Sequence, residues 1–142
     1  MARKRIFISF DADNDQHYKT LLLAWSKNSE FDFQLYNGSL KVPIDSTNAA
    51  YIKSKIKPMI TWASYLLCIV GLQTYRSNWV AWEINTAYSN GKKLIGVKIN
   101  RDCTSPSPLL GRGATWALSF TFDGIKRRST RLKIKRPPHD GR

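Results

Sequence analysis

The stretch Ser64-Tyr-Leu-Leu-Cys-Ile-Val-Gly71 decides the fold class of this 142-residue chain. Its apolar run extends to Leu72 without a charged residue, a pattern typical of a parallel strand that is buried on both faces. The run, residues 65–72, has eight residues, whereas a membrane span needs roughly 20. The stretch therefore predicts a strand at the centre of a sheet, and we expect no membrane partner.

Strand and helix patterns alternate on both sides of this central strand. Further strand patterns lie at residues 5–10, 31–36, 94–99 and 116–122, and the polar alternation of the second is typical of an edge strand. Apolar residues at helical spacing lie at residues 18–25, 49–59 and 77–90. This order predicts an α/β fold, an open parallel sheet of about five strands with helices on both faces.

Local signals predict where the helices begin and end. Asp13 and Gln16 are placed as a capping pair for the first helix. Pro58 lacks the N–H that a helix interior needs, so we expect a kink or a restart of the second helix there. Ser77 is placed to cap the third helix, and Asn90-Gly91 to end it.

The formal net charge of +13 is concentrated near the two ends. Residues 125–142 hold eight Lys or Arg against one acid, and Arg3, Lys4 and Arg5 add three charges, which leaves +3 for residues 6–124. We therefore divide the chain into a domain, residues 1–124, and a basic tail, residues 125–142. Because the tail offers no aromatic ring for base stacking, we expect it to bind nucleic acid only nonspecifically.

The sequence lacks the motifs of zinc sites, disulfide frameworks, signal peptides and several enzyme classes. The two cysteines, Cys68 and Cys103, form neither a zinc set nor a disulfide framework. The apolar run after the basic start is too short for a signal peptide, so we expect a cytoplasmic protein. There is no glycine-rich phosphate loop and no Ser–His–Asp set, since His17 and His139 lie in a helix start and the tail.

Ligands of open parallel sheets bind outside the carboxyl ends of the strands, where the strand order reverses. Two segments are predicted to converge there, residues 9–15 after the first strand and residues 71–83 after the central strand. In the second segment Trp79 and Glu83 are four residues apart, so they share one face of a helix, with Trp82 beside them. An aromatic wall next to a carboxylate suits a ribose or nicotinamide site. Glu83 alone is weak evidence, because a glutamate early in a helix can also face water and favour the helix dipole.

The acidic cluster of Asp11, Asp13 and Asp15 has three interpretations. It could bind a divalent cation, it could be a phosphoacceptor site, or it could supply only loop and helix-capping groups. We favour capping alone and predict no metal.

Two motifs resemble those of a known family. Arg5-Ile-Phe-Ile-Ser-Phe-Asp11 resembles the opening strand and loop of TIR and TIR-like domains. Ser77-Asn-Trp-Val-Ala-Trp-Glu-Ile84 resembles their Ser-x-Trp-x-x-x-Glu-hydrophobic motif. The agreement is closest to the prokaryotic TIR-like family called MTH538-like, which includes the TIR subunit of the Thoeris antiphage defence system. It covers roughly residues 3 to 124.

The resemblance implies a flavodoxin-like fold and an enzyme that cleaves the nicotinamide–ribose bond of NAD, with Glu83 as the catalytic residue. NAD is then a substrate, and no cofactor is needed. The products would be ADP-ribose, a cyclic ADP-ribose isomer or a related conjugate that activates a separate effector protein, and a homo-oligomer is compatible with the family. The predicted substrate-binding residues are Ser9, Phe10, Asp11, Thr74, Ser77, Trp79 and Trp82. The alternative is a non-catalytic TIR-like module that binds nucleotide or protein.

Overall fold

A computed structural model describes residues 4–27, 33–37, 48–118, 120, 121 and 125. The strands are β1 (Lys4–Ser9), β2 (Phe33–Asn37), β3 (Tyr65–Val70), β4 (Lys93–Lys98) and β5 (Thr115–Ala117). The helices are α1 (Gln16–Ser26), α2 (Ala49–Trp62) and α3 (Asn78–Ser89), with short 3₁₀ turns at Thr74–Arg76 and Ser107–Leu109. No helix in these ranges is long and apolar enough to cross a membrane.

The five strands form one parallel sheet in the order β2-β1-β3-β4-β5. The predicted central strand, β3, is the third of the five, and β2 lies at an edge as its polar alternation predicts. Strand order reverses between β1 and β3, which are neighbours although β2 lies between them in the chain. This is the switch point at which the sequence places the site.

Successive side chains of each strand point to opposite faces of the sheet, and this produces two cores, one on each face. Phe7, Leu66 and Val70 pack under α2 and α3, in the core that also holds Ile56 and Ile84. A second set packs on the other face with Leu22 of α1, and it consists of Ile6, Ile8, Phe10, Leu67, Ile69, Ile95, Val97, Ala117 and Ile125. The predicted helices on both faces are therefore confirmed.

Two local predictions are wrong, namely a restart of the second helix at Pro58 and the capping pair of the first helix. Helix α2 runs without interruption through Pro58, which is exposed, while Ile56 and Ile60 on either side of it are buried. The gain from burying these two side chains exceeds the ~3 kcal/mol that an interior proline costs. The first helix begins at Gln16 with Asp15 in the capping position, and the side chain of Asp15 makes no capping bond. The predicted pair of Asp13 and Gln16 therefore does not form the cap.

The end of the chain differs in two respects from its sequence pattern. The last strand is short, Thr115–Ala117, whereas the alternation extends to residue 122. Ile125, the first residue of the predicted tail, is 1% exposed, and its N–H donates to the Thr121 carbonyl. The packed part of the chain thus includes residue 125, and the rest of the predicted tail, residues 126–142, lies outside the described residues.

Candidate active site at the switch point

The site lies at the carboxyl ends of β1 and β3, under helix α3. Ser9 is the last residue of β1, and it pairs with Cys68 of β3. Ser77 caps α3 as predicted, because its Oγ accepts a hydrogen bond from the Val80 N–H at 3.1 Å. This cap fixes the first turn of the helix, and Glu83 follows in the second turn, on the side that faces the sheet.

Ser9 and Glu83 contact each other directly. The Ser9 Oγ donates to Glu83 Oε1 at 2.6 Å, although the two residues are 74 positions apart. Ser9 is completely buried, and Glu83 is 3% exposed. The alternative in which Glu83 only faces water from the helix surface is therefore excluded.

Burial dominates the electrostatics of the Glu83 carboxyl. Loss of water raises its pKa from the ordinary 4.5 to about 8, and the hydrogen bond from Ser9 opposes this rise. Within the described part of the chain, the second oxygen, Oε2, accepts no hydrogen bond. At neutral pH the carboxyl is thus mostly protonated, with its proton on Oε2 because Oε1 accepts from Ser9. Once the carboxyl ionises, Oε2 is available to a further donor.

The residues of β1, β3 and β4 that lie in the same row as Ser9 have small side chains. The sheet register aligns Ser9, Cys68 and Gly96 in one row, and the ring of Trp116 lies over Gly96, where an added Cβ would come within 2.5 Å of it. Burial raises the pKa of the Cys68 thiol, and the nearby carboxylates of Glu83 and Asp15 raise it further. The sequence did not indicate Cys68 or Gly96, because only the register places them in this row.

Thr74 and Asp15 form a second contact between the two converging segments. Thr74 Oγ1 lies 3.2 Å from Asp15 Oδ2 and accepts from the Gly71 N–H at 2.8 Å. Thr74 is completely buried and Asp15 is 4% exposed. The Thr74 hydroxyl, predicted to bind substrate, is therefore engaged within the protein. Desolvation by burial raises the pKa of Asp15, and the hydrogen bond from Thr74 opposes it.

The two tryptophans of the motif form an aromatic pair on α3. The rings of Trp79 and Trp82 meet edge to face, with centroids 5.8 Å apart and an interplanar angle of 90°. Both are partly buried against the core under α3. The Lys53 Nζ lies 5.5 Å from the centroid of the Trp82 ring, so a cation borders this pair.

Two predicted binding residues point elsewhere. Phe10 follows Ser9, and strand alternation therefore sends its side chain to the opposite face, into the core beside α1. The Asp11 carboxylate closes its own loop, since Oδ1 accepts from the Asp13 N–H at 3.1 Å and Oδ2 from the Asn14 side chain at 2.6 Å. Neither side chain reaches Glu83 in this conformation. Among the described residues, no three His, Cys, Asp or Glu side chains are grouped to hold a metal ion.

The comparisons with solved structures concern the fold alone. The chain is similar to a 2-deoxyribosyltransferase from Bacillus psychrosaccharolyticus, with 14% identity and a TM-score of 0.59 over 86% of this chain and 90% of that one. It is also similar to a 3-dehydroquinate dehydratase-like protein from Bifidobacterium longum, with 12% identity and a TM-score of 0.50 over 95% and 100% of the two chains. Both agree with the predicted flavodoxin-like architecture. No curated protein matches the chain.

A family model gives a more specific result. Residues 7–104, more than half of the chain, match the model described as Thoeris protein ThsB, TIR-like domain. The matched range contains the end of β1 with Ser9, the turn with Thr74 and the helix with Glu83. This chain therefore belongs to the family of the TIR-like domain of Thoeris protein ThsB.

Proposed function

We propose that this TIR-like domain, whose family supports a role in antiphage defence, cleaves the nicotinamide–ribose bond of NAD with Glu83 as the catalytic residue. The observation that carries the proposal is the Ser9–Glu83 contact of 2.6 Å at the switch point of the sheet. A carboxyl in that position is 3% exposed, and its burial has an energetic cost that packing alone does not require.

The reaction suits a fixed carboxylate. The bond from C1 of the ribose to the ring nitrogen breaks, the electron pair stays on the nitrogen, and the pyridinium ring leaves as neutral nicotinamide. No general acid is needed for this leaving group. The ribose becomes oxocarbenium-like, and a nearby negative charge in a medium of low dielectric stabilises the positive charge that develops.

Each polar atom of the contact can have a role in this step. Ser9 fixes Oε1 of Glu83 through its hydrogen bond, so the orientation of the carboxyl is set before substrate binds. Oε2 accepts no hydrogen bond from the described residues and can accept one from a ribose hydroxyl. Trp79 and Trp82 form an aromatic surface on the same helix, suited to pack against an apolar ring face and to exclude water.

The resting conformation is closed to substrate. With 3% of Glu83 exposed, NAD reaches the carboxyl only after the side chains that cover it move, while the Ser9–Glu83 contact is kept. The carboxylate is also the minor form at neutral pH in this state, because its pKa is about 8. A cationic nicotinamide ring nearby favours the ionised form. We infer that an activating signal opens the site, and that the opened site then binds NAD.

The fate of the ribosyl intermediate determines the product. Attack by water at C1 gives ADP-ribose, whereas attack by a nucleophile within the same molecule gives a cyclic isomer, and another acceptor gives a conjugate. In each case the released nucleotide would act as a signal on a separate effector protein. No cofactor is needed, since NAD is consumed.

The alternative is a TIR-like module that binds a nucleotide or a protein without cleaving it. The closed site favours it in one respect, since the catalytic carboxyl is inaccessible in this conformation. Binding of NAD without release of nicotinamide, measured by calorimetry alongside chromatography, would support this alternative.

The proposal is tested by chromatographic assay of nicotinamide released from NAD by the full chain, alone and with an extract of phage-infected cells. We expect release by the wild type in at least the activated sample and none by Glu83→Gln. A matched control is Asp102→Asn, which removes an exposed carboxylate outside the site and should leave release unchanged. Equal release by the wild type and Glu83→Gln would contradict the assignment.

A further inference from the structure

Two hydrogen bonds join the same two segments of the chain. Five polar or charged residues are buried within the described part of the protein, namely Ser9, Asp15, Lys19, Thr74 and Glu83. Four of these form two pairs, Ser9 with Glu83 and Asp15 with Thr74. Each pair has one member in residues 9–15, after β1, and one in residues 74–83, after β3. The two segments are therefore joined by two buried links, of which the proposed reaction uses only the first.

The second link is tightly built around a glycine. Thr74 Oγ1 accepts the Gly71 N–H, and its one hydrogen is left for Asp15 Oδ2 at 3.2 Å or the Ile69 carbonyl at 3.4 Å. The Asp15 carboxyl also fills the space beside Gly71, because a Cβ built there would lie 2.3 Å from Oδ2. The link thus fixes the end of β3 against the loop that follows β1.

From Thr74 a short, continuous set of contacts leads to Glu83. The Thr74 carbonyl accepts the Ser77 N–H at 3.0 Å, and Ser77 in turn caps α3 through the Val80 N–H. Glu83 is six residues beyond Ser77 on that helix. The position of Thr74 therefore determines where α3 starts and how far its glutamate extends over Ser9.

Helix capping does not account for Asp15. It occupies the capping position of α1 but makes no side-chain bond to the helix. An aspartate used only as a cap would be more stable in water, whereas this carboxyl is 4% exposed and its burial opposes ionisation. Its contacts are directed to the loop after β3.

We propose that Asp15 and Thr74 are positioning residues for Glu83, holding the start of α3 against the β1 loop so that the glutamate stays buried on Ser9. They act through α3 and do not touch the substrate. The role in the reaction rests on the proposed function, whereas the effect on the Glu83 carboxyl is independent of it.

The carboxyl of Glu83 can be followed directly, because the sequence has only two glutamates, Glu30 and Glu83. Labelling the full chain with glutamate that carries ¹³C at the side-chain carboxyl gives two NMR signals. The signal that disappears in Glu83→Gln belongs to Glu83. We expect the wild-type Glu83 signal to titrate at about pH 8. In Thr74→Val, which keeps the shape but removes the hydroxyl, it should move toward the ordinary 4.5 as water reaches the carboxyl.

Two controls separate positioning from a general loss of stability. Thr74→Ser restores the hydroxyl and should restore the wild-type titration, and Thr104→Val makes the same change at an exposed position and should have no effect. If Thr74→Val does not fold, Asp15→Ala is used in its place, because it removes the carboxylate that accepts from Thr74 and leaves the hydrogen bond between Thr74 and Gly71. A folded Thr74→Val or Asp15→Ala protein with an unchanged Glu83 titration would overturn the proposal.

Nicotinamide release gives the second readout. We expect kcat to fall between about tenfold and about a hundredfold in Thr74→Val, since small displacements of a catalytic group have effects of that size, and to recover in Thr74→Ser. Wild-type activity in Thr74→Val would contradict a positioning role in the reaction. Absence of release from the wild type under activating conditions would refute the proposed function, and the titration would still decide whether Asp15 and Thr74 position Glu83.

Discussion

At the residue scale, Glu83 is held where its protonated form is favoured. Its pKa is about 8 in the folded chain and near 4.5 when exposed, so the folded state binds this proton more tightly than the unfolded state does. The contribution is fully present below about pH 4.5 and is lost as pH rises through about 8. The site glutamate therefore lowers the free energy of unfolding at alkaline pH.

We predict that Glu83→Gln stabilises the protein at alkaline pH. Between pH 4.5 and about 8, ionisation of Glu83 should lower the free energy of unfolding by an amount on the order of 1 kcal/mol per pH unit. Glutamine cannot ionise, so this decrease should disappear in the variant. Thermal unfolding at a series of pH values should give a higher Tm for the variant near pH 8 and a smaller difference near pH 5. Asp102→Asn, at an exposed carboxylate, is the control. A Glu83→Gln Tm below the wild type at every pH would show that the carboxyl stabilises the fold.

Ser9 and Asp15 show how far residue types alone predict such a site. The motif and the switch-point rule place Ser9 opposite Glu83, and the structure brings them into contact. Asp15 has the sequence pattern of a helix cap, and its contact with Thr74 depends on a loop 59 residues away. Unlike Ser9 and Glu83, Asp15 and Thr74 are not linked by a motif, and a contact over this separation leaves no periodic signal, so the pairing of Asp15 could not be assigned from the sequence.

At the element scale, the order and type of the strands and helices follow from apolar periodicity, but their ends do not. Helix α2 passes Pro58 because buried side chains on both sides hold it. Strand β5 ends at Ala117 although the alternation continues. Helix α3 is the element whose start and end agree with its signals, since Ser77 caps it and Gly91, with φ of 76°, follows its last turn.

We predict that Ser77 acts on stability through this cap. Ser77→Ala leaves the Val80 N–H without its side-chain partner and should lower the free energy of unfolding by about 1 kcal/mol, measured by urea denaturation. Ser89→Ala is the matched control, because Ser89 is exposed in the last turn of the same helix. Equal stability of the two variants would show that the Ser77 side chain is not needed as a cap and would favour its predicted role in substrate binding.

At the scale of the whole molecule, the two cores on either side of the sheet are closed by different parts of the chain. The core under α2 and α3 supports the site. The core beside α1 includes Ile125, which belongs by sequence to the basic tail. The composition predicted a boundary after residue 124 because residues 125–142 are rich in positive charge. One buried isoleucine hardly changes the average composition of that segment, so composition alone could not identify it.

We predict that Ile125 contributes to the stability of the whole domain. Ile125→Ala should lower the free energy of unfolding by about 2 to 4 kcal/mol, as expected for a side chain removed from a packed core. Leu118→Ala, at a position that is 43% exposed, should change it much less. Denaturant unfolding followed by tryptophan fluorescence measures both. An equally small effect of the two substitutions would place Ile125 outside the core and support a tail that starts at residue 125.

The measurement that tests the central claim most directly is the pH dependence of nicotinamide release from NAD by the activated full chain. If the Glu83 carboxylate is the active form, kcat/KM should rise with pH to a midpoint between the ordinary 4.5 and about 8, because the buried carboxyl titrates at about 8 and opening of the site admits water. The midpoint of kcat should lie lower, because the cationic nicotinamide ring favours ionisation in the complex, and Glu83→Gln should give no release at any pH. A pH profile that is the same in Glu83→Gln as in the wild type would contradict the account.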